Sequence, residues 1–355
     1  MRSFNYLFLL LLSVSTFSCG NDPEETPSDF SLNFGDNKTE YKLGETISAQ
    51  VNGTSGKQID SVVYFFQEER LQKTSGTENL LHTFRNEKLG KWDFSARIYT
   101  GSNYQEASKE ITLFNDKAPV AYTYEVINAY PHATDAYTQG LEFYKDELYE
   151  STGRYGQSSL RKVDLKTGEV LRKIDIPDTY FAEGITILND KIYQLTWKED
   201  VIFIYNVNTF EKIDEFTYQE SEQGWGLTND GEKLYKSDGS EKIWILNKDS
   251  LAEESYIQTL THRTISTQLN ELEWVEGKIY ANTYQKDGVA IINPENGAIE
   301  GVINFQGLRE QLGNTEDLDP INDVLNGIAY NPNTKKLYVT GKDWDTLFEV
   351  EIKEN

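Results

Sequence analysis

The sequence predicts an all-β chain: a five-bladed β-propeller preceded by a small β-sandwich of immunoglobulin-like pattern. Three observations carry this. A motif recurs every 42 to 45 residues or so from about residue 118 onward, a period suited to a four-stranded propeller blade. Short alternating apolar segments separated by turn residues fill 29–116. With 22 Tyr and 17 Phe among 355 residues, the composition favours half-buried pleated faces.

At the N-terminus Arg2 precedes an apolar run from Tyr6 to Leu12, then Ser13 to Ser18 and the only cysteine, Cys19. This order reads as a signal peptide over residues 1–19, too short to span a bilayer as a mature helix. A lone cysteine cannot form an internal disulfide. Its place after the apolar run predicts lipidation at Cys19, although Thr16-Phe17-Ser18 matches a lipobox imperfectly. The chain is therefore expected to be exported as a membrane-anchored lipoprotein on the periplasmic or cell-surface side, and to be monomeric. Residues 20–28, with two Pro and three acidic side chains, read as a tether.

The sandwich is expected over 29–116, from segments such as Phe30 to Phe34, Ile47 to Val51, Ile59 to Phe66 and Trp92 to Tyr99. It holds no cysteine pair and no cluster of chemical groups. A spacer or interaction module is its default reading.

The propeller is expected over 118–355. Its five blocks begin at Gln139, Glu183, Trp225, Asn270 and Asn326, and a glycine follows in four of them. Each continues to a strand centred on a tyrosine: Tyr149, Tyr193, Tyr235, Tyr280 or Tyr338. The last block stops after three strands. Thr123 to Tyr130 is expected to supply the fourth, so that both ends of the domain close one blade and remove an open sheet edge. An insertion near 306–322 lengthens the gap before the fifth block.

In such a ring the first strand of each blade is innermost, and the second returns to the same mouth. Four residues beyond the repeat tyrosines stand Gly153, Trp197, Gly239, Tyr284 and Lys342. Symmetry thus gathers one carboxylate, three amides, a lysine and three aromatics at one opening. Each has a plainer reading. Glu183 suits a solvated edge acid, though the other repeats hold uncharged residues in its slot. Trp197 and Trp225 suit core filling as well as ligand contact. Gln139, Asn270 and Asn326 suit hydrogen bonding of strand ends, and Lys342 an ordinary surface position.

The net charge of −24 repels phosphate backbones and argues against a nucleic-acid partner. His82, His132 and His262 stand far apart, so no metal site and no cofactor is expected. No phosphate-binding loop, nucleophile elbow or Cys–His pairing is present.

Residues 118–355 resemble plant-type glutaminyl-peptide cyclotransferases. The resemblance runs through Tyr137-Thr138-Gln139-Gly140-Leu141, Glu150 to Gly156, Tyr180-Phe181-Ala182-Glu183-Gly184 and Tyr193 to Trp197. It continues through Gly224-Trp225-Gly226-Leu227, Leu269 to Glu273, Asp323 to Ala329 and Val339-Thr340-Gly341-Lys342. It implies an enzyme that converts N-terminal glutamine of peptides or proteins to pyroglutamate with release of ammonia, without metal or cofactor. It also implies a general acid/base at Glu183, with Gln139, Asn270 and Lys342 in the catalytic set. Trp197, Trp225 and Phe181 would contact the substrate. Tyr137 and Tyr284 stand where the family has phenylalanine and tryptophan, Ala182 where it has glycine, and His132 to Ala136 lacks its usual His-Asp-Pro run. The competing reading is a cell-surface propeller that binds ligand at this mouth without turnover. Glu183 together with Lys342 separates the two, since binding alone needs no such pair.

Overall fold

Crowding about an axis organises the C-terminal two-thirds of the molecule. The computed structural model describes residues 29–53 and 56–355. The residues read as signal peptide and tether, with Cys19, lie outside the described residues.

Five antiparallel units of four strands follow the repeat. The first runs Thr138–Tyr144, Glu147–Thr152, Ser159–Val163 and Val170–Asp175, and the second runs Ala182–Leu188, Lys191–Thr196, Val201–Asn206 and Lys212–Thr217. The third is Leu227–Asn229, Lys233–Ser237, Lys242–Asn247 and Glu253–Gln258, and the fourth begins at Leu269–Val275 and ends at Ile299–Asn304. In the fifth, Leu325–Asn331, Lys336–Gly341 and Thr346–Glu354 are completed by Val120–Pro131, which pairs antiparallel with the last of them from Thr346↔Pro131 to Glu354↔Tyr122. A short parallel contact of Gly301 to Ile303 with Val120 to Tyr122 links the fourth and fifth units into one eight-stranded sheet.

The first strand of each unit packs on the first strand of the next, and the fifth returns to the first. Inner strands are accordingly buried over nearly their whole length, and throughout in Ala182–Leu188, while the outermost Lys212–Thr217 is almost wholly exposed. Small residues let the inner backbones approach. A Cβ on Gly140 would lie 2.5 Å from the Ile185 nitrogen, and one on Gly184 2.6 Å from the Leu227 nitrogen. Glu271 occupies the equivalent slot in the fourth unit. Its carboxyl accepts hydrogen bonds from the Leu141 and Ile328 amides, at 3.3 and 3.0 Å, and so ties three inner strands together.

Residues 29–114 form two further sheets. A three-stranded sheet (Phe30–Phe34, Thr46–Gly53, Leu80–Thr83) and a five-stranded sheet ordered Glu40–Lys42, Asn103–Phe114, Gly90–Thr100, Ser61–Phe66, Glu69–Ser75 share one core. Alternation decides the faces: Phe30, Leu32 and Phe34 are buried, Ser31 and Asn33 exposed. This unit is bolted to the third and fourth repeats. The Leu89 amide donates to the Asn296 carbonyl (2.9 Å), Gln258 exchanges two hydrogen bonds with Lys91, and Trp92 stacks on Tyr256 with centroids 5.6 Å apart. Leu260 and Ala298 of the ring complete its core.

Glu142, Glu271 and Glu273 are all buried along the inner strands. Burial pushes the Glu142 carboxyl up to about 8 and holds the other two well above the ordinary carboxylate range. The native state then keeps protons that the unfolded chain releases above about pH 4.5, so their stabilising contribution is lost as pH rises through the folded values. Thermal unfolding is expected at a lower temperature at pH 8 than at pH 6, and Glu142→Gln should flatten that slope. An equal or higher midpoint at pH 8 would contradict it.

Candidate active site

Strand ends from all five units meet around a cavity of about 160 Å³ at one end of the ring, lined by Tyr137, Gln139, Phe181, Glu183, Trp197, Trp225, Asn270, Tyr284 and Lys342. Asn326, grouped with them by the repeat, stands behind this wall. Its Nδ2 donates to the Thr138 carbonyl (2.9 Å) and to Gln139 Oε1 (3.1 Å). With Oε1 engaged, Gln139 offers its NH2 group to the cavity. Asn326 therefore orients a lining residue and does not line the cavity itself.

Two glycines at second-strand ends make room for the aromatic wall. A Cβ on Gly153 would overlap the Phe181 ring, and one on Gly239 would lie 2.7 Å from the Trp225 indole. Phe181 meets Tyr137, Tyr155 and Trp197 edge-on, with centroids 6.4, 5.4 and 5.6 Å apart. Trp225 meets Tyr284 in the same manner at 5.8 Å. These rings leave the polar groups little water.

Glu183 bears the main consequence. It is only 5% exposed, its carboxyl makes no hydrogen bond to the described residues, and its Oε2 is buried without a partner. Burial raises its pKa well above 4.5; Lys342 pulls it back, and Glu199 adds to the rise. Lys342 is buried as well and lowered to about 8, chiefly by desolvation against the pull of Glu183. Its ammonium lies over the rings of Tyr137 (4.7 Å) and Tyr284 (5.2 Å). Asn270 Oδ1 is a further buried acceptor without a partner. The cavity thus presents two donors, Gln139 and Lys342, and two open acceptors, Glu183 and Asn270.

Sequence reasoning passed over the support for Tyr137. Arg154 lays its guanidinium 4.1 Å from that ring and pairs with Asp343 (2.6 Å) and Asp323 (3.4 Å). The Tyr137 hydroxyl donates to the Asn322 carbonyl at 3.3 Å. Arg154 and Asp323 both fall inside matched motifs, which was the available signal; their pairing across 169 residues was not readable. Among the described residues no His, Cys, Asp or Glu side chains converge as a metal-binding group. His132 is buried against Glu150 Oε1 (2.9 Å) and the Trp344 carbonyl (2.8 Å).

The sequence model of the family described as glutamine cyclotransferase matches residues 96–352. The chain belongs to the glutamine cyclotransferase family. The glutaminyl-peptide cyclotransferase of Arabidopsis thaliana is 38% identical over 234 residues, which cover 65% of this chain and 71% of the relative. The crystal structure of Myxococcus xanthus glutaminyl cyclase superposes with a TM-score of 0.63 at 32% identity, covering 67% of this chain and 99% of that one. The glutamine cyclotransferase match starts at Ala96, inside the strand Gly90–Thr100, and so reaches further N-terminal than the similarity read from residue 118.

Gly239 and Gly231 both have positive φ, 83° and 92°, but Gly231 has open space around it. Gly231→Ala should lose about 1–2 kcal/mol through the backbone alone. Gly239→Ala should lose more, because Trp225 must shift as well. Urea midpoints of the two variants measure the difference; equal losses would mean that Trp225 does not depend on the missing side chain.

Proposed function

We propose that this protein is a glutaminyl-peptide cyclotransferase, which closes the N-terminal glutamine of peptides or proteins into pyroglutamate with release of ammonia. The observation that carries the reading is the unpartnered, desolvated Glu183 carboxyl beside open donors and acceptors that complement a carboxamide. Family membership and the name of the Arabidopsis relative support it.

In the reaction the neutral α-amine attacks the side-chain carboxamide carbon. A bond forms between nitrogen and carbon, the tetrahedral adduct loses its original amide nitrogen, and that nitrogen leaves as ammonia. Glu183 takes the proton from the attacking amine and passes it to the departing nitrogen. A carboxyl whose pKa burial raises above the ordinary carboxylate range suits both halves of this task. Because the α-amine has a pKa of about 7.7–8.0, it needs little help to become neutral. Gln139 NH2 and Lys342 are the donors available to the oxyanion, and Asn270 Oδ1 is an acceptor for an N–H of substrate. The aromatic walls fold the side chain back on the amine and exclude water.

The cyclic packing of inner strands supports reading 118–355 as a five-bladed β-propeller. The two sheets over 29–116 suit an immunoglobulin-like sandwich that acts as a module beside it. The order of Arg2, the apolar run and Cys19 supports export with a lipid anchor, which would hold a monomeric enzyme at the periplasmic or cell-surface side of a membrane.

Ammonia release from a Gln-initiated dipeptide tests the reading directly. Glu183→Gln should keep KM near the parent's and lower kcat by about 10²–10⁴-fold. A variant that turns over normally would move the proton transfer elsewhere.

Tyr284→Trp should tighten substrate binding by up to about 1 kcal/mol if the larger ring stacks on substrate. Tyr284→Ala should weaken it by more. Steady-state constants identical to the parent's in both variants would make Tyr284 a packing residue.

A further inference from the structure

A side chain outside the cavity lining joins two of its walls. Trp197 and Trp225 belong to different repeats, and both aim their indole N–H at one atom. Gln223 Oε1 accepts from Trp197 Nε1 at 2.6 Å and from Trp225 Nε1 at 2.9 Å. An indole can only donate and an amide oxygen has two lone pairs, so the arrangement fills the acceptor and satisfies both rings.

The segment carrying Gln223 is held from several sides. The Gly224 amide donates to the Trp197 carbonyl (2.9 Å), and the Gly184 amide to the Trp225 carbonyl (2.7 Å). Lys236 Nζ reaches the Gln223 carbonyl at 3.3 Å. That lysine is wholly buried, paired with buried Glu253 at 2.8 Å, hydrogen-bonded to Ser221 and lying over the Tyr218 ring. Glu253 in turn accepts from the Ser221 hydroxyl (2.7 Å) and the Glu220 amide (2.9 Å). A buried ion pair is expensive, and the fold does not require one here. The equivalent positions of the other repeats hold Glu150, Gln194, Ala281 and Val339, so the lysine is particular to the unit that carries Gln223.

We propose that Gln223 is a positioning residue whose side-chain amide oxygen sets the gap between the two tryptophan walls of the substrate cavity. The inference rests on the proposed cyclisation for its kinetic consequence, but not for its structural one. Gln223→Glu keeps an acceptor for both indoles; Gln223→Ala removes it.

Indole ¹H–¹⁵N resonances, assigned with Trp197→Phe and Trp225→Phe, give a readout independent of turnover. In Gln223→Ala both should shift and exchange faster with solvent, while Gln223→Glu keeps them protected. With a Gln-initiated dipeptide, KM in Gln223→Ala should rise by at least about fivefold, as for the loss of one or two net hydrogen bonds, and Gln223→Glu should restore most of it. Unmoved indole resonances in Gln223→Ala overturn the inference whatever the kinetics. Shifted resonances with unchanged kinetic constants overturn the positioning role. If the resonances shift as expected and the parent protein releases no ammonia, the clamp stands and the proposed reaction falls.

Discussion

The closeness of the inner strands is the constraint from which the rest follows. Backbones that nearly touch around the axis admit few side chains, and the chain meets this with Gly140, Gly184 and Gly226, where an added Cβ would strike neighbouring backbone. Where the fourth repeat departs, Glu271 turns the same crowding to use by accepting two neighbouring amides. Tight inner strands bring their ends into one small space. Groups from five distant stretches of sequence then face each other across a cavity no single unit could build.

That convergence sets the chemistry through desolvation. A carboxyl on a surface strand would stay ionised and hydrated. Glu183 instead sits among Phe181, Trp197, Trp225 and Tyr284, with no protein hydrogen bond to replace its lost water. Lys342 moderates the cost from one side, while Glu199 deepens it from the other. The site thus holds a carboxyl and an ammonium that burial pushes toward their neutral forms, a state that a water-filled cleft would not sustain.

Repetition is why so much could be read from the residues. The recurrent tyrosines and first-strand positions located every inner strand within a residue or two, and the count of three strands in the last block called for the partner that Val120–Pro131 supplies. Register arguments reached Trp197, Tyr284 and Lys342 because second strands end at the same mouth. They failed where geometry depends on side-chain direction. Asn326 occupies a lining slot, yet turns to hold Gln139, and the purpose of Gly153 and Gly239 becomes visible only with the rings they accommodate. Arg154 and Asp343 share one repeat slot, five residues beyond Tyr149 and Tyr338, but their pairing with each other and with Asp323 depends on side-chain direction, which symmetry does not give. The joint at Trp92 and Tyr256 pairs a module without repeats to the ring's outer strands, and nothing in either sequence alone marks it.

The fifth unit joins the two ends of the ring's chain. Val120–Pro131 precedes the repeats in the sequence and Thr346–Glu354 belongs to the fifth of them, so the early strand has no antiparallel partner until all five repeats have been made. Until that pairing forms the ring stays open, and two edges offer unpaired amides to other chains. Removing Thr346–Glu354 would leave the ring in that state. Closure therefore makes the last repeat depend on the first strand: the sheet that carries Lys342 to the cavity is complete only when Val120–Pro131 has joined it.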